Sequence, residues 1–359
     1  MKSRFPGWVG LLTAAAFVAS ACTSAATPAP TPVPTSAPTG AATAGPTDTP
    51  APTELPGTKS FSVGFTNAGI SSAPMIAALD RLNQQGWNIE IPIIESSELV
   101  VQGVASGQFA GGSGANNAAM SAIDQGANLK LVISRIANEW AVYAANDIKT
   151  CADLSGRKLA IHSEGAVSTA MVKNWLAEKC PDAKPNYLII PGSENRLAAL
   201  LANQIDASPV ELGDGVTLDL QAADRYHLLT SFAQDLPNLQ PTSVYFNAEF
   251  MAANPGSVLA VIKSMLTVYR EIEGHPELLA EVSRKFVPNA ITEATLTQAT
   301  QKYTDWKIFP TDGGITPENL QYTIDFFGPN GTGSVPTVLK PEQVADLTFL
   351  QTALKELGS

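Results

Sequence analysis

The residues best placed to do chemistry lie between Ser96 and Gly126, with Glu95 in front of them. Ser96 and Ser97 stand just before Leu99–Ser106, a helical pattern whose first backbone N–H groups their side-chain oxygens can cap. Gly107 suits a left-handed helix end. Phe109–Gly111 is a brief apolar run. Gly111, Gly112, Ser113 and Gly114 then read as a loop whose backbone can bend and approach another group closely. Asn116 or Asn117 can cap the next helix, which Gly126 ends. Two helix N-termini opening from polar loops offer free N–H groups, a chemistry suited to holding a small polar or anionic ligand. The same pattern also fits two ordinary strand-to-helix turns.

Other chemistries find little in this chain. Its three cysteines, Cys22, Cys151 and Cys180, form no CxxC pair, and with His162, His227 and His275 they give no zinc-like spacing. There is no Gly-x-Ser-x-Gly elbow and no phosphate-cradling glycine loop with a lysine. No metal and no cofactor is expected. Cys151 and Cys180 would suit one disulfide in an oxidising compartment, or stand as two buried thiols.

The elements that must position these groups begin after an atypical N-terminus. Residues 1–22 carry Lys2 and Arg4, an apolar run from Trp8 to Val18, and Ala19, Ser20 and Ala21 before Cys22. This is the order of a signal peptide. The cysteine after small residues resembles a bacterial lipobox, which implies lipid modification of Cys22 and its exposure as the mature N-terminus. Ala19 stands where leucine is commonest, with Val18 beside it. The alternative is an ordinary secreted protein in which Cys22 is incidental. Residues 23–57 are rich in Ala, Thr and Pro, too poor in apolar surface to offset ordering, and read as a disordered, semi-stiff tether. The whole 359-residue chain is 45% hydrophobic and 15% charged, and its net charge of −11 speaks against nucleic acid and anionic lipid as charge partners.

In the body, Lys59–Phe65, Trp87–Ile94, Leu129–Ser134, Trp140–Ala144, Leu159–Ile161, Tyr187–Ile190, Ile205–Val210 and Ser243–Asn247 read as strands. Helices fall at Met75–Leu82, Thr169–Glu178 and Glu194–Ala202, with Asn203 placed for a left-handed cap. Gly256–Glu273, Pro276–Phe286, Thr292–Trp306, Pro317–Phe327 and Pro341–Leu357 are amphipathic helices. Alternating strand and helix predicts α/β architecture with parallel-type sheets covered on both faces.

Three groups of residues carry a resemblance to a known family. They are Ser72-Ala73-Pro74; Val104–Ala110 with Gly112–Ala115 and Gly126–Val132; and Asp153–Ile161 with Asn203–Ala207. Together they resemble the extracytoplasmic solute-binding proteins of ABC importers, in the nitrate/sulfonate/taurine and thiamine-pyrimidine group. The resemblance implies a two-lobed periplasmic-binding-protein fold of type 2, hinged by two crossover segments near Tyr143–Ile148 and Ser231–Ser243. The first lobe would take residues 58–143 and 240–359, and the second 144–239.

The resemblance further implies ligand contacts from loops at the carboxyl ends of strands: Asn67, Ser71, Ser72, Ser97, Ser113, Gly114, Asn116, Asn117, Ser163, Glu164, Ser168, Glu194 and Glu211. Arg135 could pair with an anionic head group, or be a surface or inter-lobe charge. Trp140 could stack on a planar ring, or pack as wall. Glu98, Glu164, Glu194 and Glu211 suit a ligand with an amine or ring N–H more than bare nitrate, and each also simply favours a helix N-terminus. The implied function is capture of a small polar organic solute (sulfonate-, taurine-, nitrate- or pyrimidine-like) and its delivery to a membrane permease. The protein would be a monomer, without catalysis, lipid-anchored outside the cytoplasm. The alternatives are an enzyme resembling thiamine-pyrimidine synthase, for which His162 would be the candidate, and a surface sensory domain.

Overall fold

Among the described residues, ten strands form two five-stranded sheets: β1 (Ser60–Phe65), β2 (Asn88–Glu90), β3 (Gly111–Ala115), β4 (Leu129–Ile136), β5 (Ala141–Ala145), β6 (Lys158–Ile161), β7 (Asn186–Ile189), β8 (Ala207–Val210), β9 (Tyr226–Ser231) and β10 (Thr242–Asn247). The computed structural model describes residues 55–66, 68–94, 96–287 and 292–358. The leader with Cys22, the tether up to residue 54, and Asn67 lie outside the described residues. The strand order is β2-β1-β3-β10-β4 in the first sheet and β7-β6-β8-β5-β9 in the second. We call each sheet with its helices a lobe.

The helices that matter for the site are α1 (Ala73–Gln84), α2 (Ser97–Ala105), α3 (Asn116–Asp124), α4 (Val167–Lys179), α5 (Ser193–Leu201) and α6 (Leu212–Gln221). Pro74 stands in the first turn of α1, where its missing N–H costs nothing. Ser96 caps α2, its hydroxyl accepting from the Leu99 N–H at 3.3 Å. Asn203 ends α5 with φ 55°. Cys151 and Cys180 are joined, their Cα atoms 5.9 Å apart, tying the turn before β6 to the end of α4.

Several expectations need correction. The glycine-rich run is a central strand, β3, buried along its whole length. Its glycines make room: a Cβ at Gly111 would lie 2.7 Å from the Phe246 ring, and one at Gly112 2.6 Å from Val100. The sheets are mixed, because β10 runs antiparallel to β3 and β4, and β5 antiparallel to β8 and β9. These are the two strands by which the chain enters a lobe from the other. Because β5 belongs to the second sheet, the first crossing is residues 137–140, upstream of the expected Tyr143–Ile148. The second, residues 232–241, falls within the expected segment. The strand expected over Trp87–Ile94 stops at Glu90, with only a bridge from Ile93 to Phe65 beyond it. Pro92 cannot donate to a ladder. Pro341–Leu357 is two helices, Pro341–Val344 and Thr348–Leu357. β9 falls in a stretch where no strand was expected. Neither Asn116 nor Asn117 caps α3; the N-cap is Ala115.

Two apolar clusters span both lobes. In one, Leu212 and Val216 of α6 join Leu296, Ala299 and Tyr303 of the helix Glu293–Asp305. In the other, Trp140 and Met171 join Val100, Met120 and Tyr245. The Glu293–Asp305 helix straddles the lobes further: Lys302 pairs with Asp219 at 2.6 Å, and the Tyr303 hydroxyl donates to the Glu139 carboxylate in the first crossing.

Candidate binding site between the lobes

The carboxyl ends of β1, β3, β4, β6, β7 and β8 converge on a cavity of about 210 Å³ between the lobes. From the first lobe and the crossing come Thr66, Ser97, Glu98, Ala115, Arg135, Trp140 and Thr242. From the second come His162, Ser168, Glu194, Arg196 and Glu211, with Gly165–Val167 and Pro191–Ser193. A wider groove of about 1100 Å³ opens outside, between α2, α3 and α4, and Glu98 and Gly165 line both spaces. We place the site in the smaller cavity because unpartnered polar atoms gather there.

Those atoms are buried and lack a partner within the protein: Arg135 Nε, Trp140 Nε1, Arg196 Nη2 and Thr242 Oγ1. Buried polar groups normally find a partner, so each is a group awaiting one. Arg135 is held by Nη1, which donates to Ser72 Oγ at 3.0 Å. Arg196, fully buried, donates to the carbonyls of Pro209, Ile190 and Gly192 at 3.1, 3.1 and 2.9 Å. It thereby fixes the strand ends that form the second wall. His162 Nδ1 accepts from the Gly192 N–H at 3.0 Å, which leaves Nε2–H as a donor. Burial and the Arg196 charge push its pKa down, keeping the ring neutral.

Carboxyls balance these donors. Burial, then Glu139 and Asp214, push Glu211 up to about 8. Burial also raises Asp214 to about 6, against the pull of the Ser193 hydroxyl that donates to it. Glu139 is likewise raised by burial, although Tyr303 and Arg135 oppose the rise. Desolvation lowers Arg196 to about 10, so it remains cationic at neutral pH.

The sequence-predicted site residues fall into three groups. Ser97, Arg135, Trp140, Ser168, Glu194 and Glu211 line the cavity. Ser71, Ser72, Ser113, Gly114 and Asn116 are buried behind it: Ser72 supports Arg135, Ser113 and Gly114 lie in β3, and Asn116 donates to the Gln240 carbonyl at 2.6 Å. A Cβ at Gly114 would crowd Ser97 Oγ at 3.1 Å, so the glycine lets the start of α2 seat against β3. Asn117 joins the lobes, its Nδ2 donating to the Gly165 carbonyl at 2.6 Å. Glu164 pairs with Lys173 and lines the outer groove, and Ser163 lines neither space. Sequence reasoning missed Arg196, Thr66 and Thr242. Arg196 sits in the amphipathic run Glu194–Ala202, where a charge ordinarily marks a solvent face; nothing local reveals its burial.

Residues 71–278 match the family described as NMT1/THI5 like, more than half of the chain. The chain belongs to the NMT1/THI5-like family. No curated protein sequence matches this family member. Among solved structures, it is similar to the periplasmic aliphatic sulphonate-binding protein SsuA from Escherichia coli, with TM-score 0.62 and 18% identity, covering 81% of this chain and 93% of that one. It is similar to the periplasmic nitrate-binding protein NrtA from Synechocystis PCC 6803, with TM-score 0.64 and 12% identity, covering 84% and 90%. A Candida albicans protein described as having the generic periplasmic binding protein fold matches with TM-score 0.58 and 12% identity, covering 82% and 94%. The fold of this NMT1/THI5-like chain is therefore the periplasmic-binding-protein fold, with a mixed sheet in each lobe.

Proposed function

We propose that this protein is the substrate-binding component of an ABC importer, capturing a small polar organic solute between its lobes and delivering it to a membrane permease. The observation that carries the reading is the inter-lobe cavity lined by residues of both lobes whose buried donors lack partners. The sulphonate- and nitrate-binding names of the similar structures support it. Arg135, Arg196, Trp140 and His162 present donors, whereas Glu98 and Glu194 present acceptors. A ligand with an acidic or acceptor head and an amine or ring N–H satisfies both sets. Bare nitrate satisfies only the donors and would leave the carboxylates facing an anion.

The protein acts outside the cytoplasm as a monomer, anchored through lipidated Cys22 and held off the membrane by its tether; the Cys151–Cys180 disulfide supports an oxidising compartment. The enzyme alternative draws little from His162, whose Nδ1 is occupied by a backbone N–H, and both cysteines among the described residues are joined to each other.

The test is native mass spectrometry on the purified protein, before and after mild unfolding, followed by thermal shift with taurine, methanesulfonate, nitrate and an aminopyrimidine. A small mass lost on unfolding, or a raised melting temperature with taurine or the aminopyrimidine, is the expected result. A bare protein that none of the four stabilises would overturn the ligand class.

A further inference from the structure

The cavity and the wider groove outside it meet at Glu98 of α2 and Gly165 before α4, which line both spaces. A Cβ at Gly165 would stand 3.8 Å from Glu98 Oε1, so a longer side chain there would narrow this neck. Glu98 Oε2 accepts from Ser96 Oγ at 2.7 Å, which steadies the carboxylate beside it. The inner cavity, at about 210 Å³, is smaller than the roughly 300–1,000 Å³ of most small-molecule pockets. The groove adds about 1100 Å³.

The groove has unsatisfied groups of its own. Asn117 of α3 is 3% exposed and lines the groove but not the cavity. Its Nδ2 donates to the Gly165 carbonyl, and its Oδ1 is buried without a partner. The carbonyl can only accept, so this bond fixes which end of the amide is which. On α4, in the other lobe, Asn174 lines the same groove and also has a buried Oδ1 without a partner. Each lobe thus brings to the groove an amide oxygen that lacks a donor. The rest of the polar lining includes neutral Gln102, Ser121, Thr332 and Ser334, and the groove's charges other than Glu98, those of Glu164 and Lys173, pair with each other.

We propose that cavity and groove are two compartments of one site, and that the solute is elongated. Its acceptor head occupies the cavity, an amine stands at Glu98, and an uncharged tail bearing hydroxyl or amide N–H donors lies in the groove. This rests on the binding-protein reading above and deepens it by naming the part of the solute beyond its head. A bare alkyl tail would leave both buried amide oxygens unpaired, whereas a donor-bearing tail satisfies them. The Asn117–Gly165 bond then serves twice, joining the lobes and presenting Oδ1 to the tail.

The test is calorimetry on the full-length mature protein with taurine, N-hexyltaurine and N-glucityltaurine. The last two share taurine's head and amine and carry chains of equal length, one bare and one hydroxylated. N-glucityltaurine should bind about tenfold more tightly than taurine, and N-hexyltaurine within about threefold of it. Ala122→Phe fills the groove from α3, away from the cavity lining, and should bring the ratio of N-glucityltaurine to taurine affinity close to one. That ratio is read within one protein, so a weakened fold does not imitate the result. Taurine bound with no gain from the hydroxylated tail, an equal gain from the hexyl chain, or a gain that survives Ala122→Phe would overturn the inference; each leaves the binding-protein reading standing. Binding of none of the three would count against the head group in that reading, and against this inference with it.

Discussion

The two walls of the cavity are built on opposite plans. The first-lobe wall is made mainly of small or hydroxyl-bearing residues, Thr66, Ser97, Ala115 and Thr242, with Arg135 and Glu98 as its charged side chains. Behind it β3 and β10 are buried throughout, and β4 along all but Lys130. The second-lobe wall carries His162, Glu194, Arg196 and Glu211, and its sheet ends in β7, whose four residues are all exposed, Ile189 by 59%. The comparison teaches a division of labour. A thickly packed lobe supplies a shaped platform with a single cation and a single carboxyl. A thinner lobe supplies most of the titratable groups, and needs Arg196 to hold their strand ends in place.

The sharpest break in that comparison is Arg196→Met. It strips the donors from three carbonyls and removes a buried cation from beside Asp214 and Glu211. The expected loss is about 3 kcal/mol in urea-induced unfolding; a loss under about 1 kcal/mol would show that the second wall stands without it. Arg135→Met tests the platform's one cation. It should reduce ligand affinity about 100-fold by calorimetry while changing stability less, since a charged hydrogen bond contributes roughly 1.5–3 kcal/mol.

A smaller effect is expected where the walls meet. Asn117→Ala removes the 2.6 Å bond to Gly165. Affinity should fall about tenfold, chiefly through faster release in stopped-flow measurements. An unchanged release rate would place the closing contact elsewhere. Asp214→Asn probes the second wall by pH. Burial raises Asp214 from 3.8 to about 6, so its contribution to folding is present at low pH and lost as pH rises across that interval. The variant should flatten the fall in melting temperature between those values. The weakest effect belongs to Glu164→Gln. Its pair with Lys173 is largely exposed, at 65% and 42%, and its loss should change stability by no more than about 0.5 kcal/mol and leave affinity unaltered.

The sequence made the alternating elements readable wherever side chains wrote the period: β1, α1, α2, β4 and α4 stand close to their expected places, and Asn203 ends its helix as its conformational tolerance predicts. β3 was illegible because its information lies in other segments. Only the bulk of Phe246, Tyr245 and Val100 explains why that strand must be glycine. The reversal of β5 and β10 was hidden for a similar reason, since strand direction depends on where the chain returns from. In the site, Arg135 and Glu211 stood out at strand ends. Arg196 did not, because burial of a charge is a property of the carbonyls around it and leaves no trace in Glu194–Ala202. Asn117 was legible as a polar group near the cleft, but its partner, a carbonyl 48 residues away, belongs to the tertiary fold.

The helix Glu293–Asp305 gives this hinge a third tie. Two chain crossings define a line about which one lobe can swing, and they also permit it to twist. A helix bound to α6 by Lys302 and to the first crossing by Tyr303 resists that torsion. On the proposed binding role, swing without twist would return the same faces to register at each closure. Arg135 and Arg196, carried on different lobes, would then meet each captured molecule at a constant spacing, so that a ruler for ligand length is set by a helix that lines no part of the cavity.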